Sequence, residues 1–459
     1  MSVYTGHITS PSHPEDSDPA SLGSERFRTD FGVRMPYMVG AMYKAISSVS
    51  MVTECARAGI LVSYGTGGLT LAEARDGIRQ IRAAAGSEAP FAVSYMAPLN
   101  HPEREVSFVD MLLAENVKLV EAGAFIEVTD QLIRYRAMGL HRSSTGEIIP
   151  EHKVIAKLSH PEVARQFVLP PKQRRLDRLV AEEIITPEQA DLVVHVPLAD
   201  AITVEGDSGG HTDGAVLVAA FPAIARLVRS LEMEVSFPHP ILMGAAGGLG
   251  CPESIAAAFA MGADYVVTGS INQCTHEAGT SDLTKELLAS LSFQDTRKCI
   301  AGDMFEVGGI VQVVRRGLLF PARAQMLHDV YLNTPSLEAI DPAVRSKLEH
   351  QIFKQPISHV KESVRRHVSS ERWVVCERDP KVMLASVMKW YFARATRAAI
   401  DGDEDWRADL QIQCGPAMGA FNAWAQGTDL EDWRARGVVT IAERLMTVAA
   451  QYGPLAQST

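Results

Sequence analysis

The segment AITVEGDSGGHTDG, from residue 201 to residue 214, brings several chemically active residue types together. An apolar, β-branched run is followed within nine residues by Glu205, Asp207, the pair Gly209 and Gly210, His211 and Asp213. Histidine can take up or release a proton near neutral pH, and glycine lets a ligand approach the backbone without a Cβ in the way. We therefore hypothesise that His211 is a functional residue that moves a proton, and Asp207 or Asp213 could orient it. A hydrogen-bonded structural histidine is the alternative.

Two later segments are also rich in glycine. Residues 244–250 read GAAGGLG and residues 268–270 read TGS, each at the end of an apolar run. Glycine costs roughly 0.5–1 kcal/mol relative to alanine inside regular structure, so its use at both places needs a reason. Helix N-termini after such turns carry partial positive charge and bind phosphate. The two segments together predict a phosphate site, although sharp strand-to-helix turns also use glycine. No GxGxxG follows the first apolar run and no GxxxxGK[ST] occurs, which disfavours Rossmann and P-loop sites.

Three further positions lie at the ends of apolar runs. The loop GAMYKAISS, residues 40–48, has small residues followed by Met42 and Tyr43, which suits the approach of a flat ring. Ser94 ends the third run and Lys157 lies near the end of the fifth. A lysine in an apolar strand needs an anionic partner, unless it lies at the exposed rim.

The elements that must position these residues are short strands alternating with helices. Eight strands, each followed by a helical pattern, within about 250 residues are typical of a TIM (β/α)8 barrel, whose functional residues lie at the C-terminal ends of the strands. A doubly wound open sheet is the alternative. One helical face is predicted from Val109, Leu112, Leu113, Val117 and Val120. The predicted strands are YMVGAM from Tyr37, ILVSYG from Ile60, FAVSYM from Phe91, AFIEVT from Ala124, KVIAKL from Lys153, AITVEG from Ala201, ILMGAAG from Ile241 and YVVTGS from Tyr265.

The regions outside this alternation differ in character. Residues 1–27 are rich in Ser, Pro, His and acids, which predicts a flexible leader. We expect the barrel over residues 28–330 and an appended, mostly helical C-terminal domain over residues 331–459, covering the barrel mouth.

Composition excludes several functions. A net charge of −11 argues against nucleic acid or an anionic membrane as the main partner. No run of eighteen apolar residues and no secretory signal occurs, so we expect a cytoplasmic protein. The six cysteines show no metal-binding spacing, and no metal is expected.

The sequence resembles the PfaD-type, trans-acting enoyl reductases of polyketide and polyunsaturated fatty acid synthases. These belong to the FMN-dependent superfamily of nitronate monooxygenases and flavin enoyl-acyl-carrier-protein reductases. The resemblance extends from about Phe31 to Met446. Its motifs are VGAMYKAISSVSMV, VIAKLSHPEVARQF, VEGDSGGHTD, MGAAGGLGCPESIAAAFAMGADYVVTGSINQC, DMFEVGGIVQVVRRGLLFPARA and IQCGPAMGAFNAW.

This resemblance implies a cofactor site. The FMN phosphate would contact Gly247, Gly248, Gly269 and Ser270. Gly209 and Gly210 would lie beside the cofactor, and Gly40, Ala41 and Met42 would lie against the flavin ring. Lys157 would lie at the N1–C2=O edge of the flavin, and Ser94 stands where many relatives carry Asn.

The implied reaction is reduction of the 2,3 double bond of an enoyl thioester, with NADPH or NADH as the hydride donor, FMN as the relay and His211 as the proton donor. The implied partners are an acyl carrier protein, the synthase modules and, as one option, a second copy in a homodimer. Two alternatives remain open: a nitronate monooxygenase-like flavin oxidase, and a non-catalytic docking module of a synthase. The acyl chain, the pathway product and the stereochemistry of reduction are not encoded in any motif.

Overall fold

A computed structural model describes residues 18–97, 102–235 and 237–452. Eight parallel strands close into a barrel, and their order around the barrel follows their order in the sequence. The first strand, Tyr37–Val39, pairs with Leu61–Tyr64 on one side and with Tyr265–Thr268 on the other. The predicted TIM barrel is therefore confirmed. The strands are β1 (Tyr37–Val39), β2 (Leu61–Tyr64), β3 (Ala92–Met96), β4 (Leu119–Gly123), β5 (Lys153–Leu158), β6 (Ala201–Glu205), β7 (Leu242–Ala246) and β8 (Tyr265–Thr268).

The fourth strand lies earlier than the sequence pattern suggested. The predicted strand from Ala124 is wrong, because β4 ends at Gly123. The preceding helix ends at Ala114, and Asn116 then adopts a left-handed conformation, with a φ of 51°, that turns the chain. Val120 consequently lies in β4 and not on the predicted helical face. This shift brings Glu121 into the barrel wall.

The barrel belongs to a compact unit made of residues up to 205, 217–268 and 436 onward. Several of its helices begin at side-chain caps, as at Thr70 and Thr186, whose hydroxyls accept from backbone amides while Glu73 and Gln189 reach back. A hairpin joins Leu140–Arg142 to Ile148–Pro150. The helices are Glu25–Phe31, Val49–Arg57, Leu71–Ala85, Pro102–Ala114, Asp130–Met138, Pro161–Val168, Gln173–Ala181, Pro187–Val193, Leu217–Val235, Pro252–Ala260 and Val438–Gln451, with a 3-10 turn at Pro19–Ser21.

The predicted leader ends earlier than residue 27. Its residues 1–17 lie outside the described residues. The helix Glu25–Phe31 is folded, and the buried ring of Phe27 stacks on Tyr265 with the centroids 4.3 Å apart. The burial of two aromatic rings explains why this part of the chain is ordered despite its polar neighbours.

The second compact unit contains residues 206–216 and 269–435. An antiparallel sheet in the order Thr296–Ile300, Ile310–Val314 and Gly210–His211 lies beside helices whose core includes Leu384, Tyr391 and Phe392. The C-terminal part of the chain is therefore mostly helical, as predicted. Its α-helices are Asp282–Ala289, Phe320–Asn333, Pro342–Lys347, Ile357–His367, Ser370–Arg378, Pro380–Asp401 and Ala417–Ala425. Shorter helical turns are Ser270–Cys274, Phe305–Val307, Leu348–Ile352, Glu404–Asp409 and Trp433–Ala435.

The last helix, Val438–Gln451, belongs to the barrel unit although it follows the second unit in the sequence. Residues 436 onward belong to the barrel unit, and Ile441 and Leu445 of the helix Val438–Gln451 are buried. A domain limit at residue 330 and a helical domain that covers the barrel mouth stay predictions. Among the helices of the described ranges, none combines the length and apolarity that crossing a membrane requires.

Candidate functional site

An ion pair lies at the C-terminal ends of two neighbouring barrel strands. Lys157, near the end of β5, places its Nζ 3.2 Å from Oε1 of Glu205, the last residue of β6. Burial by itself lowers the pKa of a lysine, but the carboxylates of Glu205 and Glu121 outweigh this effect. The pKa of Lys157 is therefore raised above its ordinary value. Lys157 has the anionic partner that its apolar strand required, and it stays charged.

Glu121 of β4 is the residue that sequence reasoning missed. Its side chain lies in the barrel with only 2% of the residue exposed. Oε2 accepts a hydrogen bond from the backbone N–H of Ala41 at 2.9 Å, whereas the buried Oε1 has no partner within the described residues. An acid within the apolar run LVEAGAF was the available signal, since a buried carboxylate needs partners.

The loop after β1, residues 40–48, is held tightly by its own unit. The N–H of Gly40 donates to the Thr268 carbonyl at 2.9 Å, and the N–H of Met42 donates to Ser47 Oγ at 2.9 Å. Lys44 and Ala45 adopt left-handed conformations, with φ of 51° and 54°. Such conformations persist in residues other than glycine only when the surroundings fix them. The loop thus presents Gly40, Ala41 and Met42 on a rigid backbone.

The loop after β7 contains two adjacent glycines in the left-handed region. Gly247 and Gly248 both have positive φ, 93° and 74°. A Cβ at Gly248 would have no protein atom within 4 Å, so that position faces open space. Further on, the N–H groups of Gly250 and Cys251 donate to Ser254 Oγ, each at 3.2 Å. Those two amides are satisfied within the protein, whereas Gly248 is exposed and leaves room for a ligand to approach its backbone.

Ser94 is buried in β3 opposite Glu121 of β4. Its backbone carbonyl accepts from Thr66 Oγ1 at 2.6 Å. Within the barrel unit, the structure therefore brings Ser94 together with Glu121 on adjacent strands.

In the second unit, His211 forms a hydrogen bond with a carboxylate that the sequence analysis did not select. His211 lies on a short strand opposite Val311, and its Nε2 is 2.8 Å from Oδ1 of Asp303. Partial burial would raise the pKa of Asp303, but the hydrogen bond and charge of His211 outweigh it, and the pKa is lowered. The side chain of His211 is 37% exposed, so its ring remains accessible.

The two aspartates expected to orient His211 have other contacts. Asp207 accepts from Thr212 Oγ1 at 2.9 Å and pairs with Lys298 at 3.2 Å. Asp213 accepts from the N–H of Ala215 at 3.0 Å. Asp303 belongs to the motif DMFEVGG, so its place in the family resemblance was the signal that could have identified it.

The glycines beside His211 have a packing role in this unit. A Cβ at Gly209 would lie 2.9 Å from Cys414 Cα and from Ser270 Oγ, so protein atoms already fill that space. Gly210 has a φ of 94°, which favours glycine. Packing within the protein is therefore sufficient to explain the glycine at position 209, and a bound flavin is not needed to explain it.

Two more predicted residues, Gly269 and Ser270, open a 3-10 helix of five residues. Ser270 Oγ accepts from the N–H of Gly415 at 2.9 Å, and a Cβ at Gly269 would meet no protein atom within 4 Å. Ser270 is thus engaged by the protein, whereas Gly269 faces open space.

Comparisons with known proteins identify the family to which the chain belongs. The family model described as nitronate monooxygenase matches residues 26–300. The inserted helical domain of [acyl-carrier-protein] S-malonyltransferase matches residues 334–410. The chain is 42% identical over 430 residues to the polyketide biosynthesis protein PksE of Bacillus subtilis, covering 94% of this chain and 56% of PksE. It is 37% identical over 417 residues to a polyunsaturated fatty acid synthase polypeptide of Thraustochytrium, covering 89% of this chain and 28% of that polypeptide.

Among solved structures, the enoyl reductase domain of MlnA, from the macrolactin biosynthesis cluster of Bacillus amyloliquefaciens, matches with a TM-score of 0.90 and 36% identity. This match covers 93% of this chain and 97% of that domain. FabK from Thermotoga maritima shares the fold, with a TM-score of 0.56 and 18% identity, over 93% of this chain and 96% of FabK. The chain belongs to the nitronate monooxygenase family of flavin-dependent oxidoreductases and, within it, to the PfaD-type enoyl reductases. It spans about half the length of PksE and less of the synthase polypeptide.

Proposed function

We propose that this chain is an FMN-dependent enoyl reductase that uses NAD(P)H to reduce the 2,3 double bond of enoyl thioesters carried by acyl carrier protein. The pathway would be polyketide or polyunsaturated fatty acid biosynthesis. The observation that carries the proposal is the 36% identity and TM-score of 0.90 with the enoyl reductase domain of MlnA. The relatives named for polyketide and polyunsaturated fatty acid synthesis support the pathway.

The residues of the barrel unit fit a flavin. Gly248 has no protein atom within 4 Å of the place of a Cβ, so a phosphate could approach its backbone. Glu121 keeps a buried carboxylate oxygen without a protein partner among the described residues. Lys157 is a charged group beside two carboxylates. When bound, FMN supplies the two-electron chemistry between the nicotinamide and the enoyl thioester.

We assign the cofactor contacts residue by residue. Lys157 would place its ammonium near the N1–C2=O edge of the ring, where a cation would stabilise negative charge on the reduced ring. For the four residues of the second unit the assignment rests on the family resemblance. The proposed contacts are Gly40, Ala41, Met42, Ser94, Lys157, Gly247 and Gly248 from the barrel unit, and Gly209, Gly210, Gly269 and Ser270 from the second unit.

His211 is the proposed proton donor to the α-carbon or to the thioester oxygen. The 2.8 Å hydrogen bond to Asp303 supports this role, because a carboxylate on one ring nitrogen fixes the orientation of the imidazole. Asp303 is then a positioning residue, since it acts through His211.

Partners follow from the same proposal. The enzyme would receive its substrate from an acyl carrier protein of the synthase, and the helical region would cover the barrel mouth and shape a tunnel for the acyl chain. NADPH or NADH would be the reductant, and a homodimer is the simplest assembly to test.

The test is turnover by the purified full chain. We expect a visible flavin spectrum, release of FMN on denaturation, and NADPH oxidation that depends on a crotonyl thioester. The His211→Ala variant should retain flavin and lose most of its turnover. A flavin-free chain, or full turnover by that variant, would contradict the respective part of the proposal.

A second candidate function is nitronate oxidation, because the matching family model is described as nitronate monooxygenase. In that reaction His211 would act as a base. Aerobic turnover of a nitronate together with no response to the enoyl thioester would favour this function over enoyl reduction.

A further inference from the structure

The two carboxylate oxygens of Glu121 have different surroundings. Oε2 accepts from the backbone N–H of Ala41, whose loop is fixed by further hydrogen bonds. Oε1 is buried and has no partner within the described residues. Lys157 interacts electrostatically with Glu121, but its Nζ donates its hydrogen bond to Glu205 Oε1 at 3.2 Å. An ionised oxygen withdrawn from water without a donor is costly, so Oε1 requires a donor that the described part of the chain does not supply.

The position of Oε1 limits what that donor can be. It lies 3.7 Å from the point where a Cβ of Gly40 would stand, at the base of the loop proposed to face the flavin. A carboxylate can only accept, so the donor must be an N–H or O–H group, of a water or of a ligand. The pyrimidine portion of an oxidised flavin carries one such group, the N3–H, between two carbonyl acceptors.

We propose that Glu121 Oε1 accepts the hydrogen bond of the flavin N3–H, so that one carboxylate holds both the loop of residues 40–48 and the pyrimidine ring. This inference rests on the proposed function. Glu121 is then a residue that determines cofactor specificity. Glu121 would select a flavin with a hydrogen-bond donor at N3. It would also set the position of the flavin ring relative to the loop of residues 40–48, which its other oxygen holds.

Glutamine at position 121 separates this role from a merely structural one. Glutamate accepts two hydrogen bonds here, whereas glutamine has one accepting oxygen and one donating NH₂. The backbone N–H of Ala41 would still donate to the oxygen of the glutamine side chain. The NH₂ of the glutamine would then face the flavin N3–H, and two donors cannot form a hydrogen bond. E121Q should therefore keep the loop and fold while losing the contact to the ligand.

The experiment is equilibrium dialysis of the full chain against FMN and against N3-methyl-FMN, which lacks the donor, with bound flavin read by absorbance. We expect the wild type to bind FMN at least about 100-fold more tightly than N3-methyl-FMN. In the complex with N3-methyl-FMN, Glu121 Oε1 has no hydrogen-bond donor and contacts a methyl group instead. E121Q should bind FMN about tenfold or more weakly than the wild type. E121A should bind the two flavins within about threefold of each other, because the acceptor is gone and the space is free.

Glu205→Gln is the matched control. Like E121Q, this variant removes one negative charge near Lys157, but it leaves both oxygens of Glu121 in place. It should therefore keep the wild-type preference for FMN over N3-methyl-FMN. Thermal unfolding by circular dichroism verifies that each variant is folded. The ratio of two flavin affinities within one variant is insensitive to a uniform loosening of the site.

Three outcomes would overturn the inference. E121A could keep the wild-type preference, E121Q could bind FMN within twofold of the wild type, or E205Q could lose the preference as fully as E121A. In each case the proposed function would stand, because FMN still binds. A wild-type chain that binds no flavin would refute both the inference and the proposed function.

Discussion

Replacing Lys157 with methionine would leave two carboxylates of the barrel without their cation. The Lys157 Nζ and Glu205 Oε1 atoms are 3.2 Å apart. Two unit charges at that distance interact by about 5 kcal/mol at an effective dielectric constant of about 20. The two side chains are 24% and 23% exposed, so solvent and desolvation reduce this value. We expect a coupling free energy of about 1–2 kcal/mol in a double-mutant cycle of K157M and E205Q.

The assay exploits the distribution of reporters along the chain. The five tryptophans all lie between residues 373 and 433, in the second unit, so their fluorescence during urea unfolding reports that unit. Hydrogen exchange by mass spectrometry of peptides containing β5 and β6 reports the barrel. K157M should lower the opening free energy of those strands, and adding E205Q should restore part of it, with little change in fluorescence.

Lys153→Met is the matched control for this cycle. Lys153 begins the same strand, and its Nζ donates to the Asp30 carbonyl and not to Glu205. K153M and E205Q should therefore be additive. A coupling below about 0.5 kcal/mol for the Lys157 cycle, within the scatter of independent sites, would refute the claim that Lys157 and Glu205 form a stabilising pair.

Three further predictions follow from other contacts. D303N should lower kcat about tenfold with unchanged flavin content, because His211 loses its orienting carboxylate; an unchanged kcat and pH profile would refute the positioning role. Burial alone would raise the pKa of Asp130, but its ion pairs with Arg175 and Arg178 outweigh this effect, and the pKa is lowered. D130N should thus destabilise the barrel unit by about 1 kcal/mol at pH 7. This difference is fully present above the ordinary aspartate pKa near 3.9 and is lost as the pH falls through the lowered value; a pH-independent difference in urea unfolding would contradict it. G209A should destabilise the second unit by about 1–3 kcal/mol, because its Cβ meets backbone at 2.9 Å; unchanged tryptophan unfolding would exclude the packing explanation.

The barrel was predictable because its signal is local. Seven of the eight predicted strands overlap observed strands, since a parallel strand covered on both faces leaves a continuous apolar run. The fourth strand was misplaced because AFIEVT looks more strand-like than LVEAG, which carries an acid and a glycine. The turn at Asn116 that ends the helix depends on a backbone conformation and not on an apolar period.

The candidate site was predictable only in part, because its contacts connect distant segments. The need of Lys157 for an anion could be stated from its apolar strand, but its partner Glu205 is 48 residues away. The partner of His211, Asp303, is 92 residues away, and no spacing rule joins them. The requirement for glycine at position 209 comes from the segment at Cys414, which packs against it. Such contacts exist only once the chain is folded.

Anaerobic single turnover tests the central claim most directly. The purified chain is reduced with one equivalent of NADPH, mixed with a crotonyl thioester in the absence of oxygen, and followed by flavin absorbance and by mass spectrometry of the thioester. Enoyl reduction predicts rapid reoxidation of the flavin with one butyryl thioester formed per flavin. A flavin that stays reduced, with the crotonyl thioester unchanged, would contradict it.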